Sequence, residues 1–442
     1  MANYEGIDIV NKVSWFLALV SNFYLMQLKQ IYRTLLPVML GGVMLLSCTA
    51  NKKTTENMEK EYEKGTFGYD LNYLSEKDGG LIILKSEDEK ARVILSAKYQ
   101  GKVFTSTANG LEGNSHGFVN YNFFDAGIVD EHMNGFGGED RFWLGPEGGR
   151  YSIYFEPEKE QVYDHWHTPK AIDIEEWQVN RVTSKEAVFT KEMEQENYLG
   201  TLLNIGIERK IALLSVADIS NKLEVELPEG VNGVAYETAN SITNKNDFEW
   251  TPETGTVCIW MLDMFNPSEA AVTVIPYYTG DEENLGKVVT SDYFGEIPAD
   301  RLKDDNGILY FKTDGKSRGK LGMNAKRTKS IAGNYNPLAK RLTIVTFDAN
   351  PDATYLNQEW NPDRDPLIGD ALNAYNDGPL EDGSIMGPFL ELESCSPAAF
   401  LKPGESLSHR HNVFHFTGDE TSLSPIAEKL LGVSLEKVRN IF

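Results

Sequence analysis

The sequence predicts an all-β fold, a sandwich or barrel, closed at its C-terminal end by two short helices. Three observations lead there. From about Gly65 onward, short apolar or alternating runs are separated by Gly, Asn, Asp and Pro. Between these runs no long stretch repeats with a convincing 3.6-residue period, and the end of the chain differs, with helix start and stop signals beyond residue 418.

Taken in chain order, residues 1–25 read as an upstream extension, because the pattern of an export signal begins at Met26. Lys29 and Arg33 form a basic end, and Thr34 to Leu46 is apolar except for small residues, too short for a comfortable membrane span. Leu45-Leu46-Ser47-Cys48 resembles the bacterial lipobox, in which cleavage leaves the cysteine to be lipid-modified. Residues 26–47 are therefore expected to be a lipoprotein signal peptide and Cys48 the lipid attachment site. The other reading is a transmembrane anchor that adds residues 13–25 to the span. Residues 48–64 are polar and aperiodic, which suits a flexible tether. The expected location is the cell envelope, lipid-anchored at the outer membrane and facing the periplasm or the surface.

The β-rich part is expected over residues 65–418. Leu81–Leu84, Ala91–Ala97, Tyr151–Phe155, Ala187–Phe189, Leu202–Ile211, Val257–Met264, Ala271–Tyr277, Ile308–Lys312 and Leu342–Phe347 read as strands. A helical segment follows over 419–442. Ser424 is its expected N-cap with Pro425 at the first helical position, Ile426 to Leu431 runs to Gly432, and Ser434 caps a second helix from Leu435 to about Asn440.

Composition sets outer limits. Hydrophobic residues make up 41% and charged residues 24%, enough apolar content for a sizeable core. The net charge is −24; residues 1–47 carry a net +1, which leaves −25 on the remainder. Such a field repels nucleic acid and anionic head groups, and leaves cations and neutral sugars as compatible ligands. Three cysteines, Cys48, Cys258 and Cys395, make no disulfide framework, and Cys258 lies in an apolar run as a small core residue.

Four constellations could carry chemistry. In Gly387–Pro397 the alternation puts Leu390 and Leu392 on one strand face and Glu391 and Glu393 on the other, with the carboxylates roughly 6.5 to 7 Å apart. Two such carboxyls can separate in pKa and act as acid and base. Four of the seven histidines fall in two His-x-His pairs, His165/His167 and His409/His411, with His415 close behind. On strands each pair would share a face and could bind a metal, contact a sugar or sit on the surface. Glycines in Asn134–Gly149 bracket Glu139, Asp140, Arg141 and Trp143; no phosphate-loop Lys follows. The loop Asn357–Asp365 carries Trp360, Asn361 and Arg364, and Asp377 lies beyond it. Aromatic faces with planar polar groups suit sugar hydroxyls, while a calcium site from Asp363, Asp365 and Asp370 is an alternative.

The segments GGEDRFWLGPEGGRYSIYF, NQEWNPDRDPLIGDALNAYNDGP and GPFLELESCSPAAFLKPGESLSHRHNVFHF resemble the galactose mutarotase-like superfamily, and within it a group of bacterial lipoproteins. The resemblance spans roughly residues 80 to 420 and implies a β-supersandwich with a sugar-binding cleft. It implies a glutamate base, Glu391 or Glu393, and a histidine acid, for which His116, His165 and His167 are the candidates. Glu139, Arg141, Trp143, Trp360, Asn361, Arg364, Asp377, His409 and His411 are the expected contacts to a mono- or oligosaccharide. The expected activity is that of an aldose 1-epimerase or a related glycan-processing enzyme without a cofactor, a metal at either histidine pair being the exception. A glycan-binding lipoprotein without turnover, using Trp360, Arg364 and Arg141, is the other expectation.

Overall fold

The computed structural model describes residues 61–380 and 382–442. The upstream extension, the signal peptide, Cys48 and the tether up to residue 60 lie outside the described residues.

Three antiparallel sheets carry the chain. β1 (Ile82–Lys85), β2 (Arg92–Ser96) and β3 (Lys102–Thr107) form a small meander. β4 (Arg141–Gly145) is the edge of a five-stranded sheet, joined in space by β9 (Cys258–Phe265), β17 (Leu390–Cys395), β16 (Leu372–Asn376) and β13 (Gly319–Met323) in that order. The remaining ten strands make the largest sheet. They are β5 (Gln178–Val182), β6 (Glu186–Glu196), β7 (Leu202–Leu213), β8 (Asn232–Asn244), β10 (Val272–Pro276), β11 (Leu302–Asp305), β12 (Ile308–Lys312), β14 (Ile331–Asn336), β15 (Arg341–Phe347) and β18 (Ser406–Thr417). Their spatial order is β11-β12-β10-β14-β15-β18-β8-β7-β6-β5.

The five- and ten-stranded sheets pack face to face. Phe142, Met261, Leu390 and Leu392 from the smaller sheet share one buried cluster with Ile205, Ile242 and Val413 from the larger, so the apolar parity of each strand points into the sandwich. The outer face of the large sheet is covered by the C-terminal helices Glu420–Leu431 and Leu435–Arg439, whose Leu423, Ile426, Leu431, Leu435 and Val438 pack on Val274, Ile344 and Phe414. Among the described residues no helix is long and apolar enough to cross a membrane.

Several local expectations fail for identifiable reasons. Tyr151–Phe155 is not a strand but a series of turns, with Tyr151, Ile153, Tyr154 and Phe155 all buried. A run apolar on every side need not be paired, and here Ser152 Oγ holds it by donating to the Glu147 carbonyl. The penultimate helix starts at Glu420 rather than at Ser424, so Pro425 lies inside it. Ser424 serves the junction instead: its hydroxyl donates to Glu428 at 3.0 Å and accepts from the Leu435 amide at 3.1 Å, tying the two helices together. Helices at Phe67–Lys77 and Val216–Leu223 were not expected. The second starts with a capping box between Ser215 and Asp218, a signal present in the sequence.

Candidate functional site

The outer face of the five-stranded sheet is the polar one, and its registers set the site. Trp143 stands opposite Trp260. Arg141 stands opposite Leu262, which is opposite Glu393, which is opposite Asn373. Met264 is paired with Glu391, Glu391 with Tyr375, and Tyr375 with Lys320. Residues directly opposite on antiparallel strands share a face, so all of these side chains project to the same side.

Loops wall this face into a cleft of about 430 Å³ lined by Arg141, Trp143, Glu147, Trp260, Lys320 and Glu391. Trp166 and Trp360 stack at 5.9 Å along one side, and Phe294 meets Tyr375 edge-on at 5.9 Å along another. Gly148 lets the loops that carry Glu147 and Trp360 touch: a Cβ there would lie 2.3 Å from the Glu359 carbonyl oxygen. The cleft opens into a second compartment of about 770 Å³ that shares Glu147, Trp360, Lys320, Arg318 and Tyr375 and adds Asn361, Arg364 and Asp377.

At the floor each cation is matched to a carboxylate. Arg141 pairs with Glu391, and Lys320 Nζ lies 2.9 Å from Glu393 Oε2, which also accepts from Trp260 Nε1 at 2.8 Å. Burial pushes Glu391 up to about 8, with Arg141 opposing the rise and Glu393 adding to it. Burial likewise raises Glu147 to about 7, against the pull of Lys320. Burial pulls the Lys320 ammonium down, but Glu393 and Glu147 outweigh it and hold it above its ordinary value. The cleft thus offers two carboxyls that exchange protons near neutrality, fixed cations beside them and aromatic faces around them.

The structure brings together Glu391, Arg141, Trp143, Trp360, Asn361, Arg364 and Asp377 around the two compartments, with Glu393 at their floor. It separates the rest. His165 belongs to a 3-10 turn, Tyr163–His165, not to a strand, so the expected shared face with His167 does not exist. Their rings bond to different carbonyls, His165 to Glu160 and His167 to Glu131, and His167 stacks on His132 at 5.0 Å. That divergence corrects the first proposed metal pair. His116 lines a separate pocket with Arg341, its ring 4.5 Å from that of His415. Among the described residues no histidine lines the cleft, so the expected histidine acid is not there.

His409 and His411 are corrected because alternation along β18 aims them into the sandwich, and Glu139, in the bend ahead of β4, is fully buried there too. Ser394, one position from Glu393 and so on the opposite face, contacts His409 Nε2 and His411 Nδ1, each at 2.8 Å. His411 Nε2 lies 2.8 Å from Asp263 Oδ2, Asp140 pairs with Arg209, and Glu139 takes Ser106 and His415. The Ser394–His411–Asp263 chain has the connectivity of a nucleophilic triad, yet all three are fully buried, which denies a substrate access. Asp140, Asp263 and His411 bring ligand atoms within 4.8 Å of one another, and Asp140 offers only Oδ2 there, because its Oδ1 is paired with the Arg209 guanidinium, whose charge opposes a cation. Burial drives His409 down to about 3 and lowers His415, so both stay neutral inside.

Sequence reasoning missed Glu147, Trp166, Trp260, Arg318, Lys320 and Tyr375. Lys320 carried a readable signal, a lone charge in the glycine-flanked run Gly319–Met323.

The architecture is therefore that of a two-sheet antiparallel sandwich with a loop-walled cleft on one outer face. A family of unknown function, DUF6786, matches residues 65–442, and the chain belongs to it. No curated protein matches the chain. Similar solved structures include a galactose mutarotase-like protein from Lactobacillus casei, at 11% identity and TM-score 0.44 over 76% of this chain and 100% of that one. Another is the galactose 1-epimerase of Lactobacillus acidophilus, at 13% identity and TM-score 0.38 over 77% of this chain and 94% of that one.

Proposed function

We propose that the cleft binds a carbohydrate and interconverts its anomers, with Glu391 and Glu147 moving the protons. The observation that carries this reading is the pair of carboxyls raised to about 8 and about 7 inside one aromatic-walled cleft. The higher one, Glu391, gives a proton to the ring oxygen while Glu147 takes the proton of the anomeric hydroxyl. The bond between C1 and the ring oxygen breaks, leaving a carbonyl at C1. Rotation about C1–C2 and reclosure return both protons to their donors. Arg141 and Lys320 hold Glu391 and Glu393 in place, and Trp360, backed by Trp166, gives the sugar ring an apolar platform.

The test is anomeric equilibration followed by polarimetry on freshly dissolved aldoses. The rate should peak between about pH 7 and 8, where Glu147 is ionised and Glu391 still protonated, and Glu391→Gln and Glu147→Gln should each remove it. Full turnover by Glu391→Gln would end this reading. The complete pairing of Glu391 with Arg141 and Glu393 with Lys320 favours a second reading, a glycan-binding protein without turnover. Calorimetric binding with no equilibration of any bound sugar would establish it.

The lipobox supports a further part of the proposal: Cys48 carries lipid and anchors the protein in the cell envelope. Metabolic labelling with palmitate that persists in Cys48→Ala would overturn that part.

A further inference from the structure

The cations of the two compartments differ in how they are spent. Arg141 is paired with Glu391, Lys320 with Glu393, and Arg364 Nε lies 3.4 Å from Glu359 Oε2. Arg318 lines both compartments and, among the described residues, has no carboxylate within 4.0 Å. It is nonetheless held. Its guanidinium carbon sits 3.8 Å from the centre of the Phe294 ring, and its Nε donates to the Tyr375 hydroxyl at 3.3 Å. Asp377, the nearby acid, is already engaged, accepting from the Tyr375 hydroxyl at 2.8 Å and from the Gly387 amide at 3.0 Å. Asp292 lines the same compartment without pairing to Arg318.

A stacked guanidinium with its terminal nitrogens unspent is a fork for a planar anion, because two parallel N–H groups match the two oxygens of a carboxylate. The surrounding charge sharpens the point. On a chain of net charge −24, an anionic ligand is repelled from afar and held only where a local cation is free. The compartments also exceed one sugar's needs. The smaller, of about 430 Å³, holds Glu391 and Glu147, and the larger, of about 770 Å³, extends outward past Arg318.

Resting on the carbohydrate reading above, we propose that the ligand is an acidic glycan of more than one sugar, whose carboxylate or sulfate ester is read by Arg318 next to the reacting ring. Arg318 is a binding residue that sets specificity, and Phe294 and Tyr375 are its supports.

The test is calorimetry on the full protein at fixed ionic strength, using trigalacturonic acid against its methyl ester, and sulfated lactose against lactose. The first pair isolates the carboxylate and the second the sulfate. At least one anionic member is expected to bind about tenfold or more tighter than its neutral counterpart. Arg318→Gln should erase that preference, with a melting midpoint close to the parent's showing that it folds, and Arg318→Lys should restore only part of it. Equal affinities within both pairs, or a preference that survives in Arg318→Gln, overturns the acidic-glycan proposal and leaves the carbohydrate cleft standing. If none of the four sugars binds, both fall together.

Discussion

Lys320→Met isolates what the floor of the cleft owes to one ion pair. The lysine lies 2.9 Å from Glu393 and 4.8 Å from the centre of the Trp260 ring, and Glu393 is fully buried. Methionine keeps the packing on Trp260 but leaves Glu393 with only the Trp260 indole N–H among its charged and polar partners. Breaking a buried pair by removing one member costs about 3–5 kcal/mol, since a charge stays behind without compensation. With an unfolding entropy of about 2.1 cal/mol/K per residue over roughly 380 folded residues, each kcal/mol shifts the midpoint by about 1.2 °C, so Tm should fall by about 4–6 °C. Scanning calorimetry at pH 7 reads this directly. The double variant Lys320→Met/Glu393→Gln removes both charges and keeps an acceptor for Trp260, so it should recover most of the loss. A single variant melting within about 1 °C of the parent, or a double variant no better than the single, would refute the compensation argument.

Two further outcomes follow from other parts of the structure. Ser394→Ala should leave turnover unchanged and cost about 1–3 kcal/mol, because it strips a partner from His409 and His411 in a site no substrate reaches; labelling of Ser394 by a fluorophosphonate would contradict this. Glu147 is raised from 4.5 to about 7, so the folded state binds a proton that the unfolded state has lost, and this acid's contribution to stability declines as pH rises across that window. Glu147→Gln should therefore gain on the parent between pH 4.5 and 7 in denaturant midpoints and hold a constant advantage above; a constant gap across the whole window would show that Glu147 titrates normally.

The all-β class was legible because short alternating runs and turn residues leave few other options. The pairing of Glu391 with Glu393 on one face was legible too, since side chains on a strand alternate with period two. The same rule explains the failures. Parity says that His409 and His411 share a face, and they do, but it does not say which side of the sheet that face meets. Only the packing of β18 against β17 turns them inward toward Ser394. Arg141 could not be matched to Glu391 in advance, since the two are 250 residues apart and meet only through β9 between their strands. Trp166 and Trp360 stack across two loops with no shared periodicity to link them.

The registers of β17 carry a consequence for how the protein tolerates change. Leu390 and Leu392 alternate with Glu391 and Glu393, so sliding this strand by one position against β9 and β16 would drive both carboxylates into the sandwich and push two leucines into the cleft. The greasy side of the strand therefore acts as a lock on the reactive side. A lineage could remodel the loops that decide which molecule enters, while the hydrophobic interior keeps the proton-handling groups in alignment.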